Sequence, residues 1–414
     1  MRHWIYLAWA SLQHRRSSTL IVLVMVALCS GILASAERVF SAAKSSFYSS
    51  VSGTDLIVGA RTNDINLLLY SVFHIGNARN NVSWQSLNNI AAHKAVKWWV
   101  PISLGDSYRN HRVIGTQAAF FEHFRYGNQS ALQFTQGRAF NLGAQVVVGA
   151  EVAAKQTLSI GDEIVLTHGT ADVDSARHKQ LTFEVVGLLA PTGTPLDRSV
   201  LTDLTGLDLV HMPAETAVDI ADNAEALAKL TPASVTAAMI GLNSRLDAFA
   251  LQRTINDFPE EALTAVLPTA TLASLWNLLG SVETAIQFLG GCLVVVSVLA
   301  VLAVFISSLR ERRREFAVLR ANGLSRVGLI MIVQLEMLLI NTAAACLGVF
   351  SSFALLTLFA EPLSSLTGIR LQQMQLSVFD LQLVVGVSIL SILVALVPAI
   401  SAYRGHLNQG LTPQ

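Results

Sequence analysis

Charge is scarce in this sequence. Of 414 residues only 14% are charged, while 52% are hydrophobic, against about a quarter charged in an ordinary soluble domain. The deficit rules out a disordered chain, which needs low hydrophobicity and high net charge, and it argues against a wholly soluble one. No sign of charge dominates: 28 Lys and Arg stand against 28 Asp and Glu, so no general attraction for nucleic acid follows. Cysteine is nearly missing. Cys29, Cys292 and Cys346 all lie in apolar runs, and three thiols so placed make no disulfide framework. Signatures of chemistry are missing too. No lysine follows a glycine, so no P-loop ending is present to hold phosphates. The ten histidines include no His-Glu-x-x-His and no tight pair for a metal, and His74 in Ser71-Val-Phe-His-Ile75 reads as a packed or exposed side chain. No Gly-x-Ser-x-Gly nucleophile elbow occurs. Neither a repeat nor a low-complexity tract is visible, and the chain itself is expected to carry no catalytic residue, metal site or cofactor.

What the sequence does have is long apolar runs. A bilayer core takes about 20 apolar residues as helix, and four stretches qualify: Ser17–Ala36, Ala285–Leu309, Val327–Ala360 with Glu336 as its one charge, and Leu381–Tyr403. Ala34-Ser35-Ala36 has the small residues of a signal-peptidase site, but the run before it exceeds the 7–15 residues of a signal h-region, so a retained span is expected. Arginine bias near span ends sets orientation. Arg2, Arg15 and Arg16 precede the first span; Arg310, Arg312, Arg313, Arg314, Arg320 and Arg326 crowd the loop between the second and third; Arg404 follows the fourth. Both termini and the arginine loop are therefore expected in the cytoplasm, with Glu37–Glu283 and the loop 361–380 outside.

The long outer segment is large enough for its own core. Asp55–Ala60 reads as a short buried strand, Ser83 as the cap of a helix to about His93, and Val96–Leu104 and Arg112–Thr116 as strands broken by Gly105-Asp106 and Asn110. Val235–Leu242 and Leu263–Leu267 are strands flanking a helix that Ser244 caps. Between these ends, residues 117–218 are richer in short β patterns, such as Gln145–Gly149, Glu163–Thr167 and Leu181–Leu189. The adjacent Trp98 and Trp99 read as core or interface aromatics.

Two helices are expected to outrun the bilayer. Leu272, Leu275, Trp276, Leu279 and Ile286 fall at helical spacing, and Ala36, Phe40, Ala43 and Phe47 make a similar stripe after the first span. A helix over 272–309 would be roughly 57 Å long, against a hydrocarbon core of about 30 Å. Such stripes either pair as a stalk or pack on the outer domain. The arginine loop offers a second pair of readings. Phe316, Leu319, Ala317 and Ala321 share adjacent helical faces, Gly323 suits a helix C-cap, and Ser325 can cap the next helix. This short basic helix can anchor at lipid headgroups or dock into a partner protein. Glu336, costly inside a span, is either a proton or substrate site or an inward-facing partner for arginines or backbone.

Glu315-Phe-Ala-Val-Leu-Arg-Ala-Asn-Gly-Leu-Ser-Arg326, followed by Glu336 in the next span, resembles the FtsX-like permeases of ABC transporters, the group of the MacB and LolC/LolE types. Leu7–Leu12, Val147–Gly149, Ser159–Ile164, Pro398-Ala399 and Ala402–Arg404 extend the resemblance to both termini. Asn322 departs from the smaller or apolar residue of many relatives. The resemblance implies an α-helical membrane protein with four transmembrane helices plus a large α/β extracytoplasmic domain carrying a β-rich insertion. Its divisions are 1–16 in the cytoplasm, 17–50 first span and stalk, 51–116 with 219–270 the α/β part, 117–218 the insertion, 271–309 stalk and second span, 310–326 the coupling helix, 327–360 third span, 361–380 an outer loop, 381–403 fourth span and 404–414 a tail.

The resemblance also implies a function and partners. A separate ABC ATPase, which binds the ATP, would seat on Glu315, Phe316, Leu319, Arg320, Gly323 and Arg326. A stalk built on Phe40, Phe47, Leu272, Leu275, Trp276 and Leu279 would carry its motion outward, in a dimer with a second permease copy, same or different, in the inner membrane. This mechanotransmission would drive export or extraction of a lipoprotein, peptide or small molecule, with an extracytoplasmic adaptor, lipoprotein or binding protein as partner. The alternative is a signalling device that actuates such a partner. MacB carries its own ATPase ahead of the first span; with only Met1–Arg16 there, a separate subunit is expected.

Overall fold

The computed structural model describes residues 16–168, 181–221, 223–311, 318, 321, 323–360, 362 and 376–404. Among them, four helices are long and apolar enough to cross a membrane: Arg16–Ser49, Pro268–Ser307, Val327–Leu358 and Val378–Val397. The first two run on past the requirement of about 20 residues, the second as one helix from Pro268 to Glu311. Local chemistry fixes where the later helices begin. Ser325 Oγ accepts from Gly328 N at 3.0 Å, which satisfies an orphan amide of the helix Arg326–Leu358. Just before it Gly323 sits at φ +91°, a left-handed conformation that glycine adopts without steric cost.

The described residues fall into two units. One draws on Met1–Ala42, Gly280–Glu361 and Leu371–Gln414, the other on Ala43–Leu279 and Pro362–Arg370. The helical unit is cored by Val22, Val26, Val301, Val333, Met337, Ala344 and Ala395. Its first and third spans cross on small residues. A Cβ on Gly348 would collide with the Ala27 carbonyl, and one on Gly31 would lie 3.1 Å from the Gly348 carbonyl oxygen. Such contacts are what hold membrane helices together, since lipid and leucine are equally apolar. Gly348→Ile is accordingly expected to cost about 1–3 kcal/mol of overpacking. Thermal unfolding of the detergent-purified chain checks this, with Gly386→Ala as control, because a Cβ there meets open space.

In the other unit the strands in chain order are β1 (Leu56–Ala60), β2 (Val82–Ser83), β3 (Val96–Tyr108), β4 (His111–Thr116), β5 (Arg125–Tyr126), β6 (Ser130–Ala131), β7 (Phe134–Gly137), β8 (Gln145–Val148), β9 (Glu163–Ile164), β10 (Thr167–His168), β11 (Phe183–Leu189), β12 (Ser199–Asp203), β13 (Ser234–Val235), β14 (Ala237–Leu242) and β15 (Leu263–Val266). The main sheet runs β15-β1-β14-β3-β4-β12-β8-β11-β7. It is mixed: β4 with β12 and β8 with β11 are parallel, and the other neighbours along this path are antiparallel. Successive side chains of a strand face opposite ways, and both faces here are covered. Ile57, Ala237, Met239 and Val266 enter one core with Leu67, Leu68 and Leu272. Leu56, Val58, Ala238, Ile240 and Ala265 enter another with Leu87, Ile90, Leu251 and Ile255. That double burial is why β1 reads as a continuous apolar run. Of the strands in 117–218, β7 to β12 share this one sheet with β1, β3, β4, β14 and β15, and β12 pairs with β4, Ser199 opposite Arg112 through Asp203 opposite Thr116, whereas β5 pairs with β6 in a sheet of their own.

One local expectation is corrected. Gly105-Asp106 does not break a strand. β3 continues to Tyr108, with a register shift between Leu104 and Ser107 against β4. Asp106 pairs with His168 of β10, and Ser107 with Thr167, so cross-strand pairing holds residues of poor strand propensity as a bulge. The turn after it is as read: Arg109 and Asn110 sit at φ 44° and 68° between the paired Tyr108 and His111, as a two-residue primed hairpin turn requires.

Candidate functional site

Most of the expected coupling helix, 310–326, lies outside the described residues: Glu315, Phe316, Leu319, Arg320 and Asn322 all do. Of that set Gly323 is described, as the left-handed turn already given, and Arg326 opens the helix that Ser325 caps. The two long helices that precede and follow the sheet unit in the chain are described along their backbones. In that unit Phe47 stacks on Phe73 at 4.3 Å and meets Trp276 edge-on at 5.7 Å, an offset geometry that ring quadrupoles favour. Leu272 is buried in the same core, and Leu275 and Trp276 pack against it. The stripes on the two long helices therefore meet each other and the core of the sheet unit at once. Leu279 is half-buried. Phe40 belongs to the helical unit, where it lines a crevice with Leu33, Glu37, Glu283 and Ile286, and there Gln287 Nε2 donates to Glu37 Oε2 at 3.2 Å. A second stripe on the helix Pro268–Glu311 is exposed: Leu278, Val282, Leu289, Leu293 and Val296, at steps of heptad type.

Glu336 is buried inside the helical unit, and Asn341, farther along the same helix, is buried with neither side-chain polar atom hydrogen-bonded among the described residues. A buried charge pair in that unit was not singled out in the sequence. Arg38 Nη2 lies 2.8 Å from Asp380 Oδ2, the side chains being 8% and 3% exposed. The guanidinium also donates to Ser352 Oγ and stands 4.0 Å over the Phe353 ring, a cation–π contact. Asp380 is held in turn by a reciprocal cap: its Oδ2 accepts from Ser377 N at 2.9 Å, and its N–H donates to Ser377 Oγ at 3.2 Å. Three helices are tied through one charge pair whose desolvation cost is offset only while both partners remain. The signal was legible in part, since Ser377-x-x-Asp380 is a capping-box pattern. A search for charge-free runs treats Arg38 and Asp380 as the borders of spans and so discards both.

In the sheet unit, Trp98 stacks flat on His123 at 4.8 Å and Trp99 lies 5.2 Å from Trp84, so the tryptophan pair splits between two packing roles. His74 is half-buried at φ 55° and hydrogen-bonds through Nδ1 to Ser199 Oγ at 3.2 Å. Burial, with Arg112 nearby, pushes its pKa down to about 4, so the ring is neutral near pH 7. No group of three or more metal-ligating side chains occurs among the described residues, and the three cysteines are free.

Two family models match successive parts of the chain. The family model described as MacB-like periplasmic core domain matches residues 18–254, more than half the chain. The model described as FtsX-like permease C-terminal matches residues 288–407. Among solved structures, the periplasmic region of MacB from Actinobacillus actinomycetemcomitans aligns at 9% identity over 56% of this chain and 98% of that one, with a TM-score of 0.33. The extracellular domain of the noncanonic ABC-type transporter YknZ from Gram-positive bacteria aligns at 13% identity over 51% and 99%, with a TM-score of 0.30. No curated protein sequence matches the chain.

Proposed function

We propose a mechanism for this chain as what it is, a member of the ABC transporter permeases of MacB and FtsX type, with a MacB-like periplasmic core domain and an FtsX-like permease region. It is a multi-pass membrane subunit that works with a partner ATPase and is not that ATPase. In our reading the ATPase seats on the loop Arg310–Arg326 at the cytoplasmic face of the inner membrane. Its closure on ATP moves the helices Arg16–Ser49 and Pro268–Glu311, and these move the extracytoplasmic sheet domain, which drives export or extraction of a substrate outside the membrane.

The observation that supports this most is the continuity of those two helices. Each is one uninterrupted helix of 34 or 44 residues where about 20 would span a bilayer, and each ends in the aromatic core around Phe47 and Trp276. A loop at the membrane surface would absorb a push; a continuous helix with its hydrogen bonds closed transmits it. A second permease copy is proposed to cover the exposed stripe of Leu278, Val282, Leu289, Leu293 and Val296.

The reading is tested by topology and by turnover together. Reporter fusions at Lys179 and at Asn322, both outside the described residues, are expected to report opposite sides of the membrane. The chain purified from its native membrane is expected to bring with it an ABC ATPase whose hydrolysis rises when the permease is present. Fusions on one side, or an ATPase indifferent to the permease, would sink the mechanism.

A further inference from the structure

A cavity of about 450 Å³ opens in the sheet domain, within the range of small-molecule sites. Five stretches of chain build it: the end of the first long helix, the loop after Val72, the β3–β4 turn, the helix Ala150–Gln156 and the segment Pro195–Ser199. Its walls are of two kinds. One wall is apolar, made of the stacked Phe47 and Phe73 and of Ile75, which stays 55% exposed. His74 and Gly76, at φ 55° and 82°, flank Ile75 in left-handed conformations; glycine takes this without cost, whereas for His74 it is a strain that surrounding structure must hold in place.

The other wall is cationic. Among the described residues, Arg112, Lys155 and Arg198 line it together with the carboxylate of Glu151. Glu151 accepts from Arg198 Nε at 2.9 Å and from Lys155 Nζ at 2.8 Å. Its partial burial works against the charged form, but those two partners prevail and hold its pKa below the usual range. It is therefore ionised and already shared between two cations. His111, lowered by burial, and His74 add no charge near pH 7, so the described side chains of the wall sum to a net charge of two positive. Arg112 spends only Nη2, on Gly76 O at 3.0 Å and Asn77 Oδ1 at 2.8 Å. Among the described residues its Nη1 and Nε have no partner, and no carboxylate pairs with it.

We infer that this cavity is a binding site for a phosphate monoester carried on a compact apolar group, with the phosphate against Arg112 and Lys155 and the apolar part against Phe47, Phe73 and Ile75. A phosphate monoester carries about 1.5 to 2 negative charges near pH 7, which matches the net charge of the wall, and a guanidinium with two free donors suits its oxygens. The volume excludes a folded partner. The site lies apart from the coupling loop and the stripes that carry the proposed mechanism, and it holds or falls independently of them.

The test is calorimetric titration of the full chain, purified in non-ionic detergent, with phenyl phosphate as probe. Phenyl phosphate is expected to bind at least about tenfold tighter than inorganic phosphate, through burial of the ring, and tighter than benzoate, which offers one charge. Phenol is expected to give no heat. Arg112→Gln should weaken phenyl phosphate about tenfold, and Arg112→Lys should restore part of it. Lys155→Gln, on an exposed helix face, gives the same readout should Arg112→Gln fail to fold, and unchanged unfolding midpoints establish that each variant is native. Two sources share this chemistry, a soluble phosphorylated compound and a lipid headgroup. Competition by nanodiscs containing phosphatidic acid, absent with phosphatidylcholine alone, assigns the lipid; no competition assigns the soluble source, and either keeps the site. No binding of phenyl phosphate at millimolar concentration, benzoate binding as tightly, or equal affinity in native Arg112→Gln and Lys155→Gln variants overturns it.

Discussion

Asp380→Ala is expected to destabilise the helical unit by about 3–5 kcal/mol, the cost of leaving a buried charge without its partner. Arg38 would keep only Ser352 Oγ and the Phe353 ring, too little to replace a carboxylate at 2.8 Å. The loss would also remove the Asp380–Ser377 cap from the start of the fourth span, typically about 1 kcal/mol more. The measurement is the unfolding midpoint of the purified chain in detergent. The paired change Arg38→Met with Asp380→Leu separates the two contributions: it leaves no stranded charge and is expected to recover most of the stability, because apolar pairs often replace buried ion pairs at no net cost. Recovery of stability without recovery of transport would assign the pair to the moving mechanism. A single Asp380→Ala variant with an unchanged midpoint would show that water reaches Arg38 and that the pair ties nothing.

Phe316→Ala together with Leu319→Ala is expected to abolish stoichiometric co-purification of the ATPase and its permease-stimulated turnover. Each truncation of a well-buried anchor costs about 2 kcal/mol or more, near thirtyfold in affinity. A helix this short is marginal alone, so its apolar face needs a surface, and the neighbouring Glu315, Arg320 and Arg326 suit a protein groove as well as a membrane. Insertion should be unchanged, since the spans are untouched. A lipid anchor predicts the reverse: normal ATPase binding, with any defect following the number of arginines removed. A double variant that still co-purifies with an active ATPase would settle the matter for the lipid anchor.

The sequence alone determined the parts of this protein that depend on composition over a window. A bilayer admits only long apolar helices with their backbone bonds closed, so four runs poor in charge could be read directly, and the helices occupy them. Caps were legible for the same reason of locality: Ser83, Ser244 and Ser325 each accept from an amide two or three residues on. The motif around Glu315–Arg326 and Glu336 gave the family, because its residue order is specific over a short stretch.

The tertiary structure decided whatever joins residues far apart in the chain. Gly105-Asp106 look like a strand end until β10, some sixty residues later, pairs with Asp106 and Ser107. That β7 to β12 share a sheet with the strands before and after them rests on β12 lying along β4, some ninety residues away in the chain. Arg38 and Asp380 are separated by most of the sequence; each alone is a charge at the edge of a span, and only the packing of the first, third and fourth spans makes them a buried pair. The cationic cavity is similar, since Arg112, Lys155 and Phe47 sit on three different elements. Local propensity and hydropathy are sums over neighbours in sequence, whereas burial, charge pairing and cavity shape are properties of neighbours in space, and those are set only when the chain has closed on itself.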